Sequence, residues 1–90
     1  MANLRSAKKR VRQNAKRRMR NQIYRTRART FVKYARIAIE SGDSDTATDA
    51  VRKAVIELDR ASSKGVIHRN NAARRKSRLM KRLASLEQGT

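Results

Sequence analysis

His68 is the only histidine in a chain of 90 residues that has no cysteine, so any nucleophilic, general-base or metal chemistry must be built around this one ring. Asp59, Ser62 and Ser63 lie nearby in sequence. A serine nucleophile needs a base within hydrogen-bond reach and a third group that orients the base, and a metal needs several His, Cys or carboxylate ligands at set spacing. Neither pattern is present. No catalytic residue, no metal site, no cofactor and no small-molecule substrate are therefore expected. The lack of cysteine also removes disulfides and thiolate chemistry, and fits a reducing compartment. His68 instead stands next to Arg69, Asn70 and Asn71, where its ring can either cap a helix or hydrogen-bond a phosphate or ribose. Both readings stay open. The amides of Asn70 and Asn71 can donate and accept, which suits base edges, ribose hydroxyls or a helix start. Arg74, Arg75 and Arg78 carry planar forks matched to phosphate oxygens.

Those residues need elements to hold them, and the glycines mark where the elements end. Gly42 and Gly65 each sit where a helical pattern stops, the place at which a residue without Cβ can turn left-handed. Three helices are predicted, over 6–41, 44–63 and 69–86. Proline, with an average usage of about 5%, is absent, which permits long helices. In the first, Tyr24, Ala28, Phe31, Ala35 and Ala38 recur at steps of four and three, a single apolar stripe. In the second, Asp43 can cap the start, Asp45 and Asp49 suit the positive end of the helix dipole, and Ala47, Val51, Ala54, Leu58 and Ala61 repeat the stripe, widened by Ala50 and Val55. The third carries Ala72, Leu79, Leu83 and Leu86. Gly89 and Thr90 are expected to fray.

Short connections make consecutive helices antiparallel, so the predicted fold is all-α, a three-helix up-down-up bundle forming one domain over 1–90. A second helix of about 20 residues, ~30 Å long, covers only the last part of a first helix that starts near position 6. The first half must project. Within it Lys8, Arg12, Lys16 and Arg20 lie four apart, and like charges at that spacing cost a helix ~0.2–0.5 kcal/mol each. Alone, this half is expected to be frayed or disordered. Its row of Ala7, Val11, Ala15, Met19 and Ile23 is too thin to dock on the protein. Tyr24, Phe31, Met19 and Met80 are read as packing residues.

Charge is the strongest signal. Lys and Arg number 25 against 7 Asp and Glu, a formal net charge of +18. Residues 1–42 hold 14 basic and 1 acidic, residues 43–65 hold 4 and 5, and residues 66–90 hold 7 and 1. Solubility alone would spread the excess over all three helices. Concentration of one sign on the first and third points to a polyanion that releases counterions when bound, with the balanced middle helix turned away. Aromatic residues make up 3%, so few rings are on offer for stacking single-stranded bases, and the phosphates of a folded nucleic acid are the better target. Charge by itself serves duplex DNA as well as RNA. Two other readings, an arginine-rich transit peptide over 1–41 and a membrane-active helix, fit less well: cleavage would leave a very small remainder, and the projecting half has little apolar surface to insert. No membrane partner, no membrane span and no homo-oligomer are expected, and the chain is read as cytosolic.

Ordered blocks of residues resemble a known family. Met1, Ala2, Asn3, Ser6, Ala7, Lys8, Lys9, Arg10, Arg12, Lys16 and Asn21 are similar to the opening signature of the bacterial small-subunit ribosomal protein family numbered twenty (S-twenty). Lys64, Gly65, Ile67, His68, Arg69, Asn70, Ala72, Ala73, Arg74, Lys76, Ser77, Arg78 and Leu79 are similar to its third-helix motif, and Ile39, Glu40, Gly42 and Asp43 to its central joint. Arg69 stands where that family more often has Lys. The resemblance implies a ribosomal component that contacts 16S ribosomal RNA directly and stabilises its packing during assembly. It implies RNA contacts from Ser6, Lys8, Lys9, Arg10, Arg12, Lys16 and Asn21 on the first helix, and from His68, Arg69, Asn70, Arg74, Lys76 and Arg78 on the third. Arg17, Arg20 and Arg75 join them on charge.

Overall fold

The structure is a computed structural model that describes residues 2–88. The expected fraying of Gly89 and Thr90 lies outside the described residues. Three helices follow one another: α1 (Ala2–Ser41), α2 (Ser44–Ser63) and α3 (Arg69–Gln88), with no strand among the described residues. The all-α expectation holds, and α2 has the predicted bounds. Helix α1 starts four residues before the expected position 6, because the stretch contains neither Gly nor Pro to stop it, so that Ser6, although a capping residue type, is taken into the helix. Its 40 residues give a rod of ~60 Å at ~1.5 Å per residue, most of the 69 Å long dimension of the molecule.

The joints are made by backbone chemistry. Gly42 adopts φ +84° and Gly65 φ +74°, the left-handed region. At the end of α2 the Val66 N–H donates to the Ala61 carbonyl at 2.9 Å and the Gly65 N–H to the Ser62 carbonyl at 3.0 Å, a Schellman closure. At its start the Asp43 carboxylate accepts from the Asp45 N–H at 3.2 Å and from the Thr46 hydroxyl at 2.8 Å. The Thr46 hydroxyl, then the backbone N–H groups, hold the Asp43 carboxyl below the usual range.

With a two-residue joint, α2 folds back on α1: Ser41 lies beside Thr46, and Arg27 reaches Glu57. Helix α3 returns along α1, so that Arg29 neighbours Arg74 and Glu40 neighbours Ser85. The order is up, down, up.

The core is thin and made largely of alanine. Of the twelve buried apolar residues among those described, seven are Ala, and Leu58 is the largest that is fully enclosed. All five residues of the α2 stripe are buried, as are Ala28, Ala35 and Ala38 on α1, and Ala72 and Leu79 on α3. Tyr24, Phe31 and Leu83 pack against this core from its margin, whereas Val32, which the four-three stripe passed over, lies inside it. Met19 and Met80 are corrections: they are 66% and 54% exposed, because Met19 lies before the overlap with α2 begins and Met80 turns away beside the buried Leu79. The first half of α1 projects beyond the bundle as expected, with every residue from Leu4 to Arg20 exposed. The expected fraying is a correction: α1 is continuous helix from Ala2 to Ser41, because a stretch of good helix formers without Gly or Pro outweighs like charges spaced four apart.

Candidate nucleic-acid interface

Three of the four acids on α2 are paired within the protein. Asp49 pairs with Lys53 at 3.2 Å, Asp59 with Lys76 at 2.7 Å, and Glu57 with both Arg27 at 3.0 Å and Arg60 at 3.3 Å. Glu57 is 5% exposed, and the Arg27 guanidinium grips both its oxygens while lying 5.6 Å over the Phe31 ring. Those hydrogen bonds hold the Glu57 carboxyl below the ordinary range; burial pushes the other way, and the charges of Arg27 and Arg60 reinforce the lowering. Arg27 and Lys76 are thereby committed to holding α1 and α3 against α2. Lys76, read from sequence as an RNA contact, has a protein partner.

The remaining cations gather on two helices. Between α1 and α3 runs an open cleft of about 880 Å³ whose walls carry Arg29, Lys33 and Arg36 from one side and Arg74, Arg75, Arg78, Lys81 and Arg82 from the other, with Val32 and Leu79 at its floor. None of these eight cations has an acidic partner among the described residues. Eight like charges facing one another across a cleft favour an anion between them, and planar guanidinium forks suit phosphate oxygens in two directions. Arg74, Arg75 and Arg78 were read from sequence; Arg29, Lys33, Arg36, Lys81 and Arg82 were not. Their spacing was a usable signal, since 29, 33 and 36, like 74, 78 and 81, follow the four-three rhythm that was applied only to apolar residues.

The start of α3 settles one open point. The His68 carbonyl accepts from the Ala72 N–H, and its ring Nδ1 accepts from the Asn70 N–H at 3.1 Å. His68 is the N-cap of α3. The bond from Asn70 occupies Nδ1, and the ring's Nε2 takes part in none of the side-chain hydrogen bonds among the described residues. Arg69 and the Asn70 side chain are exposed beside it, whereas Asn71 is half-buried with its Oδ1 enclosed and unpaired.

On the projecting half, the predicted residues do not form one patch. Arg5, Lys8, Lys9, Arg12 and Lys16 line one face, and Arg17 and Asn21 belong to another with Asn14, Arg18 and Arg25. Ser6, Arg10 and Arg20 are exposed around the same rod. Among the described residues no group of His, Cys, Asp or Glu can hold a metal, and no helix is long and apolar enough to cross a membrane.

Residues 2–84 match the family model described as Ribosomal protein S20. The chain is 51% identical over 86 residues to the small ribosomal subunit protein bS20 of Thermomicrobium roseum, covering 96% of this chain and 87% of that one. It is 54% identical over 84 residues to the protein of the same name from Roseiflexus sp., covering 93% and 91%. Against that of Beutenbergia cavernae it is 49% identical over 86 residues, covering 96% and 100%. With this match over nearly its whole length, the chain belongs to the ribosomal protein S20 family, whose members are structural and not enzymes.

Proposed function

We propose that the chain is a structural constituent of the small ribosomal subunit in the cytoplasm, and that it binds 16S ribosomal RNA directly through α1 and α3. The whole chain acts as one RNA-binding unit, holding RNA helices in their packed arrangement during assembly. The observation that carries this reading is the cleft between α1 and α3, where eight cations have no acidic partner among the described residues, while most of the charge on α2 is balanced by ion pairs within the protein. Phosphates entering the cleft displace condensed counterions and relieve the repulsion between its walls. The projecting half of α1 extends the same chemistry beyond the bundle. Fifteen of the sixteen predicted contact residues fall on these two helices, and the sixteenth, His68, stands at the start of α3.

Charge reversal on either side of the molecule tests it. Arg74 lines the cleft, whereas Arg52 is an exposed residue of α2. Arg74→Glu is expected to weaken binding to 16S ribosomal RNA at least tenfold at matched salt, and Arg52→Glu less than threefold, magnitudes set by the loss of a phosphate contact plus local repulsion. Equal losses at the two positions would place the binding face elsewhere.

A further inference from the structure

The projecting half of α1 has two faces of different chemistry. One is lined by Arg5, Lys8, Lys9, Arg12 and Lys16, with Gln13 as its single amide. The other interleaves Arg17, Arg18 and Arg25 with Asn14, Asn21 and Gln22. At 3.6 residues per turn the two are about 160° apart around the helix axis. On the second face Asn14 and Asn21 stand on nearly one line, between Arg17 on one side and Arg18 and Arg25 on the other. None of the side-chain hydrogen bonds among the described residues uses Asn14, Asn21 or Gln22. Asn14 and Gln22 are exposed, and Asn21 is half-buried. Arg29 lines both this face and the cleft between α1 and α3, so the track is continuous from the rod into the bundle.

A ligand for such a face must present anionic rails with hydroxyl and base-edge partners between them. The wide, shallow minor groove of an A-form RNA duplex does this: 2′-hydroxyls and base edges lie on its floor, and phosphates flank it. Arginine forks reach the rails, and short amides, which donate and accept, reach the floor. A cation-only face can hold phosphates but has little with which to distinguish ribose from deoxyribose. We infer that the Asn14, Asn21 and Gln22 face of α1 reads ribose hydroxyls in the minor groove of an RNA duplex, while the Lys8 and Lys9 face holds a second phosphate backbone without regard to sugar. This rests on the RNA-binding reading above and assigns its discrimination to three amides.

The test uses the full chain and a short RNA duplex as probe, compared with the same sequence as a 2′-O-methyl RNA duplex, which keeps the A-form but loses the hydroxyl donor. The wild-type protein is expected to prefer the ribose duplex about tenfold, the size of one or two good hydrogen bonds. N14A/N21A/Q22A changes two exposed positions and one half-buried position of a helix to its best former, and its melting temperature is measured beside the wild type so that a loss of fold is told apart from a loss of preference. It is expected to lose most of that preference while its dependence on salt stays the same. K8A/K9A is expected to keep the preference and to lower the salt slope by roughly 2, as two lost phosphate contacts require. If the wild type binds no RNA, the proposed function itself fails. If it binds RNA but shows no sugar preference, or if the triple variant keeps the preference, the amide assignment alone is overturned.

Discussion

Glu57 is a buried carboxylate in a molecule with a large positive charge, and its position makes it a joint between helices. Arg27 and Arg60 supply its hydrogen bonds, and its proton affinity is lowered in the folded chain. A carboxyl lowered on folding contributes stability above its ordinary value near ~4.3, and that contribution disappears as pH falls through the lower folded value. Glu57→Gln keeps the shape but removes the charge, and is expected to cost about 1–2 kcal/mol at neutral pH by denaturant titration. It should also flatten the acid limb of the stability curve, leaving the part due to Asp43, whose carboxyl is lowered as well. An acid limb of unchanged steepness would mean that Glu57 is not the group whose protonation loosens the bundle. His68 offers a second residue-scale test, because a cap and an RNA contact respond differently to replacement. His68→Ala is expected to lose about 1 kcal/mol and His68→Asn most of it back, since Asn caps well. An equal fall in RNA affinity for both variants would assign the contact to the ring's Nε2 instead.

At the scale of elements, the closure of α2 depends on one glycine. A Cβ at Gly65 meets nothing within 4 Å, so the cost of Gly65→Ala lies in the backbone at φ +74° and amounts to about 1–2 kcal/mol. Thermal melting checks it, and a neutral result would show that the loop relaxes to another closure. The ends of α2 were legible in the sequence for this reason: Asp43, Gly42 and Gly65 have side chains, or lack them, in ways that act directly on the backbone. The stripe of α2 was equally legible, since a helix flanked by two others buries a full apolar row. The start of α1 was not, because Ser6, a residue type that suits a helix start, lies inside the helix. Nor were the cleft cations Arg29, Lys33, Arg36, Lys81 and Arg82, which become a site only once α1 and α3 lie side by side, a matter of packing that no single helix records. The fate of Lys76 was hidden likewise; its partner, Asp59, lies on another helix.

The molecule as a whole combines a net charge of +18 with a core in which most buried apolar residues are alanine. Alanine lets helices approach closely but removes little apolar surface from water, so the free bundle has modest hydrophobic support. Against it stands the repulsion across the cleft. Salt shortens the range of that repulsion from about 10 Å at 0.1 M to about 3 Å at 1 M. The free protein is therefore expected to melt at higher temperature as salt rises, while its affinity for RNA falls. A single substitution separates the two effects. Arg78 lines the cleft and has no acidic partner among the described residues, so Arg78→Gln removes repulsion that the free protein bears and a contact that the complex needs. At low salt it is expected to raise the melting temperature of the free protein by about 2–3 °C, the shift that ~0.5 kcal/mol makes in a domain of this size. In the same buffer it should weaken RNA binding several-fold. Stability and function then move in opposite directions, as they must where a binding surface is held in a strained state until its ligand arrives. A lower melting temperature for Arg78→Gln would show that the cleft is not under electrostatic strain, and that α1 and α3 are held together by more than the apolar contacts at its floor.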